Sequence, residues 1–206
     1  GTEKDFKLHN DATWRCDTIE VWKTGRSLYV GKVVAELLIY EEYFNQGCHL
    51  IITGGEPLLQ QKALEPFIEL LINWLGYKPF IEVETNGTIT PKGKFFSYVD
   101  LFNCSPKLSN SGNELNKRFK SEVLNFLNLT NTIFKFVISD ETDLVEVLNI
   151  IEKCNLVSKK IYLMPSADNI KQLEQNTLPT VQQCLKYGFN FSSRLQITIW
   201  NKTTGV

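Results

Sequence analysis

The sequence predicts an α/β fold built on a parallel sheet, and three observations predict it. Short apolar runs alternate repeatedly with stretches of helical spacing, the pattern of successive βα units. One apolar run, Leu50-Ile51-Ile52, leads into Thr53-Gly54-Gly55-Glu56-Pro57 and then a helical pattern. Acids, amides and a lysine gather just after the expected strands, which is where parallel α/β folds bind ligands.

Taken in order, residues Gly1 to Ala12 are polar and aperiodic and read as loop. Cys16-Asp17-Thr18 follows Trp14, and Ile19 to Trp22 is a short apolar run. Lys32 to Phe44 has helical spacing, with Gly47 as a stop. Leu50 to Ile52 reads as a buried strand. Gly54 and Gly55 tolerate positive φ and let another group lie against the strand's end, and Pro57 suits the first turn of a helix. That helix is expected over Leu58 to Leu75, ending at Gly76, and a strand over Pro79 to Val83. A weak helix (Pro91 to Tyr98), a strand (Val99 to Cys104) and a helix within Gly112 to Leu127 follow. The remaining elements are a strand at Thr132 to Ile138, a helix at Thr142 to Cys154 and a strand at Lys160 to Leu163. A helix over Ile170 to Tyr187 stops at Gly188, and Phe191 to Ile199 includes a final strand.

The chain has 206 residues, 43% apolar and 22% charged, which suits one globular domain with a sizeable core. Its formal net charge of -1 gives no bulk field to recruit nucleic acid or an anionic membrane. No apolar run is long enough to span a bilayer, and there is no secretory signal pattern. Five dispersed cysteines without a C-x-x-C pair point to a reducing compartment.

Each rim motif has a bland reading beside the functional one. A Gly-Gly pair is common in ordinary strand-to-helix loops. Asn86-Gly87 is a strong turn signal, but it leaves Glu84 unexplained at the end of an apolar strand. A carboxylate and an amide there suit ribose hydroxyls or an amino group. Lys107 in isolation reads as a solvated lysine. Lys135 sits inside an apolar strand, where an unpaired charge is costly, so it is expected to reach a rim or pair with a carboxylate. Cys48, Cys154 and Cys184 read as small core residues, and Cys104, beside Ser105, reads either way. His9 and His49 have no nearby metal-ligand partner in the sequence.

Five stretches together resemble the radical S-adenosylmethionine superfamily, and within it the 7-carboxy-7-deazaguanine synthase family. They are Trp14 to Thr18, Thr53 to Pro57, Glu84 to Gly87, Ser105 to Lys107, and Arg194-Leu195-Gln196. The resemblance implies a partial (β/α)6-type barrel, with the family's first strand missing from this chain, as a single radical SAM domain over 1–206 whose N-terminal part is incomplete. It implies a carbon–nitrogen lyase that holds a 4Fe–4S cluster on three cysteines and cleaves S-adenosylmethionine to a 5′-deoxyadenosyl radical. The radical starts a Mg²⁺-assisted ring contraction of 6-carboxy-5,6,7,8-tetrahydropterin with loss of ammonia. Carried over, Cys16 is the last cluster cysteine and Thr18 the Mg²⁺ ligand. Gly54, Gly55 and Glu56 face the methionine amino group. Glu84, Asn86, Ser105 and Lys107 line the adenosine or substrate site, and Thr53 and Gln196 contact the pterin. The expected partners are the pterin, a flavodoxin-like or ferredoxin-like electron donor and a second copy of the chain, with no nucleic acid and no membrane. The expected localisation is cytoplasmic.

One departure bears on the cluster. Counting back from Cys16 by the superfamily spacing C-x-x-x-C-x-x-C gives Thr13 and His9 rather than thiolates. Two explanations compete: two further cysteines lie upstream, separated from Cys16 by a long insertion, or the cluster has been lost; the intact Cys16-Asp17-Thr18 favours the first. The rival readings are an activating enzyme that abstracts hydrogen from a partner protein, and a cluster-free module that holds a nucleotide-like ligand.

Overall fold

The computed structural model describes residue 12 and residues 25–203. Its backbone groups into two compact units: of the described residues, one takes in 25–85 and 89–103, the other 12, 86–88 and 104–203. Among the described residues no helix is long and apolar enough to cross a membrane.

The first unit opens with α1 (Val30–Leu37), a 3-10 turn (Leu38–Tyr40) and α2 (Glu41–Asn45). The single helix expected over Lys32 to Phe44 is thus broken. Ile39 and Tyr40 at the break are exposed, so no packed face holds a regular helix there. Next come β1 (Leu50–Ile52), a 3-10 turn (Pro57–Gln60), α3 (Gln61–Leu75), β2 (Ile81–Thr85), α4 (Gly93–Tyr98) and β3 (Leu101–Cys104). The strands follow chain order, and β1 runs parallel to β2 with Leu50 opposite Ile81 and Ile52 opposite Val83.

The second unit continues the alternation with α5 (Leu115–Arg118), α6 (Ser121–Asn128), β4 (Thr132–Ile138), α7 (Glu141–Lys153), β5 (Ile161–Pro165), α8 (Ile170–Tyr187), β6 (Asn190–Phe191) and α9 (Leu195–Trp200). β4 pairs parallel with β5 from Phe134–Ile161 to Ile138–Pro165, and β5 with β6 at Tyr162–Asn190 and Leu163–Phe191. The class is the expected α/β, with parallel strands in chain order as in a (β/α)6 arrangement. The final strand takes in only Phe191 of the segment expected to include it; residues 192–194 are irregular and the chain is helical from Leu195. Leu195, Ile197 and Ile199 alternate as a strand would, but only Ile197 is buried. The helix expected within Gly112 to Leu127 is two pieces, separated by an extended Phe119 at φ -120°.

A parallel strand covered on both faces is apolar throughout. Here burial alternates instead. In β4, Thr132, Phe134, Phe136 and Ile138 are buried, whereas Ile133, Lys135 and Val137 are half-buried. β5 repeats the pattern, with Tyr162 and Met164 on its less buried row. β1 is likewise buried on one face only: Ile51 is 53% exposed between Leu50 and Ile52, contrary to the fully buried strand expected. In each of these strands one row is packed in the core and the other is only partly covered. Lys135 lies on that row; among the described residues no carboxylate pairs with it.

Cys104, Cys154 and Cys184 are buried, but Cys48 is exposed rather than a core residue. Burial pushes the Cys154 and Cys184 thiols up, which suits inert packing. Lys160 donates to the carbonyls of Asn128 (2.7 Å) and Thr130 (2.6 Å), tying down the C-terminal end of α6. Burial pulls its pKa down.

Candidate functional site

In the first unit the site residues form one cluster at the strand ends. The β1–β2 register continues one step past Ile52 and Val83, which brings Thr53 level with Glu84. The Thr53 hydroxyl donates to Glu84 Oε2 at 3.1 Å. Glu84 lies within β2, on the row opposite the buried Ile81, Val83 and Thr85, and is exposed. Gly54 takes φ +139°, and a Cβ there would meet nothing within 4 Å. The backbone at this turn is therefore bare, as close approach by a ligand requires. Gly55 has no positive φ, so the left-handed requirement falls on Gly54 alone.

Glu56 caps the 3-10 turn, accepting from the Leu58 N–H at 3.1 Å with Pro57 just inside. The same Oε1 accepts the Thr85 hydroxyl at 2.8 Å. Thr85 is 4% exposed, so the carboxylate is held from a packed position rather than waving in solvent. Lower in the same unit, Glu82 binds His49 Nδ1 and takes the Asn103 amide at 2.6 Å. His49, which has no partner in the sequence pattern, thus has a carboxylate in the fold.

In the second unit Asn86 behaves as its turn reading says. Its Oδ1 accepts the N–H (3.0 Å) and hydroxyl (2.6 Å) of Thr88. Gly87 sits at φ +73°, and a Cβ there would lie 2.7 Å from Cys104 Sγ and 2.8 Å from Leu124 Cδ2. Ser105, Pro106 and Lys107 follow β3 directly, with Pro106 buried and its neighbours half-buried. Ser166 follows β5; its N–H binds the Ile138 carbonyl and its carbonyl takes the Asn176 amide. Gln196 is exposed on the six-residue α9, not on a strand. Cys16 and Thr18 lie outside the described residues, as do the upstream cysteine positions Thr13 and His9.

Sequence reasoning missed the residues that hold these segments. Thr85 looks like one more β-propensity residue. Arg118 and Glu146, 28 residues apart, look like surface charges on two helices, yet they form an ion pair with side chains only 8% and 20% exposed. No local signal announces such a pair.

No family model matches the chain. Curated relatives do. The chain is 28% identical over 193 residues to the 7-carboxy-7-deazaguanine synthase of Pyrobaculum aerophilum, covering 92% of the chain and 81% of that protein. It is 26% identical over 212 residues to the enzyme of the same name from Halobacterium salinarum, covering 91% and 78%. A pyruvate formate-lyase-activating enzyme of Staphylococcus aureus is 35% identical over 83 residues, covering 40% of the chain and 26% of that protein. Parallel βα units, a Gly-Gly-acid turn closing β1 and these likenesses agree with the expected radical S-adenosylmethionine fold. Over about nine-tenths of its length the chain is similar to proteins named 7-carboxy-7-deazaguanine synthase.

That likeness supports an enzyme, and the resemblance to the radical S-adenosylmethionine superfamily implies a 4Fe–4S cluster and S-adenosylmethionine. The first-unit cluster fits the amino-acid end of the latter. A bare glycine backbone, a carboxylate fixed by Thr85 and a second carboxylate beside Thr53 are acceptors for an ammonium and neighbours for hydroxyls. Among the described residues no three His, Cys, Asp or Glu side chains gather to hold a metal ion. The cluster and Mg²⁺ assignments rest on Cys16 and Thr18, outside those residues.

Proposed function

We propose that the protein catalyses ring contraction of 6-carboxy-5,6,7,8-tetrahydropterin to 7-carboxy-7-deazaguanine with loss of ammonia, as a carbon–nitrogen lyase. Likeness to two synthases over about nine-tenths of the chain carries this reading. The activating-enzyme reading draws on a likeness covering 40% of the chain, and the synthase reading is preferred for that reason.

In this reading residues 1–206 work as one catalytic domain. Cys16 is the last thiolate of the cluster, which with S-adenosylmethionine supplies hydrogen-atom abstraction when bound. Gly54 and Gly55 offer backbone to the methionine end, and Glu56 accepts from its ammonium. Asn86, Ser105, Lys107 and Glu84 bind the nucleoside part. Thr53 and Gln196 contact the pterin, and the Thr18 hydroxyl is an oxygen ligand for Mg²⁺, a hard cation. A neutral ligand leaves the ion's charge to hold the substrate carboxylate. The enzyme is proposed to be cytoplasmic and homodimeric, reduced by a flavodoxin-like or ferredoxin-like donor, and to work without nucleic acid or membrane.

The test uses the full-length protein purified without oxygen. Iron and sulfide should be present, and the pterin should be converted when S-adenosylmethionine, Mg²⁺ and reductant are added. Glu56→Gln should weaken S-adenosylmethionine binding in calorimetry by roughly ten- to a hundredfold, the worth of one charge-assisted hydrogen bond. Protein without iron or sulfide would favour the cluster-free binding module, and unchanged affinity would remove Glu56 from the site.

A further inference from the structure

The segment after β3 carries Ser105 and Lys107 but has little regular structure to fix it. It holds only a 3-10 turn at Ser109–Ser111 and the four-residue α5 before Phe119. Its course is set by side chains instead. Arg118 Nη1 donates to Glu146 Oε1 and to the Lys107 carbonyl at 3.3 Å, and Arg118 Nε donates to the Asn113 carbonyl at 3.1 Å. Glu146 Oε2 accepts the N–H (2.8 Å) and hydroxyl (2.7 Å) of Ser109. One ion pair thus pins residues 107, 109 and 113 of the segment to α7. That helix is itself well anchored: Asp140 caps it through the N–H groups of Thr142 and Asp143, and Asp143 takes the Ser139 N–H at 2.7 Å.

Stability alone is a poor reason for such a pair, since well-packed apolar residues often serve as well as a desolvated ion pair. Geometry is a better one. Capture of the Lys107 carbonyl fixes the peptide plane and so the direction in which the Lys107 side chain leaves the backbone. The planar guanidinium is suited to this, because its donors point at fixed angles to several acceptors at once. We infer that Arg118 and Glu146 are positioning residues that hold Ser105–Lys107 in its ligand-binding conformation and so set the affinity for the nucleoside end of S-adenosylmethionine. The inference rests on the cofactor-binding role given to Ser105 and Lys107 above.

The experiment compares Arg118→Lys, Glu146→Gln, Lys107→Met and, as a control, Lys160→Met, which loosens α6 without touching the segment. In each full-length variant, calorimetry measures S-adenosylmethionine binding, and kinetics separate KM from kcat. Arg118→Lys keeps the charge but loses the fork. It and Glu146→Gln are each expected to raise the Kd roughly tenfold. KM for S-adenosylmethionine should rise with it, while kcat at saturation and KM for the pterin stay close to the parent. Lys160→Met should lower the melting temperature and leave the Kd alone. Full affinity in Arg118→Lys and Glu146→Gln, beside weakened binding in Lys107→Met, overturns the positioning role. So does an equal loss of affinity in Lys160→Met, which would mark a general effect of stability. Unchanged binding in Lys107→Met, or weakening toward the pterin alone, overturns the cofactor role of the segment itself and this inference with it.

Discussion

The strand-end cluster of the first unit and the post-β3 segment of the second meet the same need by different means. The first organises itself: Thr53 reaches Glu84 because the register sets them side by side, and Glu56 caps its own turn. The second is held from outside, by a guanidinium and a carboxylate from two helices. A self-organised cluster keeps bare backbone and exposed acids available. A clamped segment can be irregular and still keep one conformation. The two regions should therefore respond differently to the same perturbation.

Glycine substitution gives the largest expected contrast. Gly87 and Gly54 both take positive φ, but Gly87 faces Cys104 and Leu124 closer than any Cβ contact allows, whereas Gly54 faces open space. Gly87→Ala adds overpacking to backbone strain and should cost about 2–4 kcal/mol of unfolding free energy. Gly54→Ala adds strain alone and should cost about 1–2 kcal/mol. Chemical denaturation of both variants checks the order. Equal losses would mean that the packed and open surroundings make no difference.

The contrast also explains what could be read in advance. The α/β class, the parallel strands and the stop signals Gly76 and Gly188 were legible, because each rests on period or on local turn chemistry. So was the rim location of Thr53 to Glu56 and of Ser105 to Lys107, which follows from strand order alone. The broken helix at Leu38–Tyr40 and the helical Leu195–Trp200 were not, because exposure rather than pattern decides them. The Arg118–Glu146 clamp was hidden for a third reason. Its members are polar residues at polar positions of short or amphipathic helices, and only the tertiary fold brings them together and buries them. Of the roles carried by the family resemblance, those of Cys16 and Thr18 fall on residues outside the described structure.

Acid titration sharpens the comparison further. Burial tends to raise the pKa of Glu146, but hydrogen bonds from Ser109 and the Arg118 guanidinium outweigh it and hold the carboxyl below its ordinary value of 4.5. The folded state therefore releases this proton more readily than the unfolded state. The stabilisation is complete above about pH 4.5, where the unfolded group is also ionised. It is lost as the pH falls through the lowered folded value. Glu146→Gln should be less stable than the parent at neutral pH and should lose less on acidification below pH 4.5. Denaturant midpoints across that range measure the difference, and parallel curves would show that the clamp carries no pH-linked stability.

The smallest expected effect comes from a second carboxylate that titrates in the same direction. Glu69, in the first unit, is held below its ordinary value by the Lys94 ammonium and the Tyr98 hydroxyl, which bond its Oε1 at 3.1 and 3.0 Å. The same pairing raises Lys94 and, with burial as a lesser cause, Tyr98. Lys94 is 71% and Glu69 41% exposed, against 8% and 20% for Arg118 and Glu146. Water and salt screen the exposed pair, and holding two long side chains together offsets much of its Coulomb gain. Glu69→Gln should therefore leave the denaturant midpoint and the acid limb within error of the parent. Raising the salt concentration should blunt even that residue of an effect while leaving the Glu146→Gln difference largely intact. If Glu69→Gln flattened the acid limb as much as Glu146→Gln, burial would not be what separates the two carboxylates, and the clamp would have no greater hold on the fold than a surface pair.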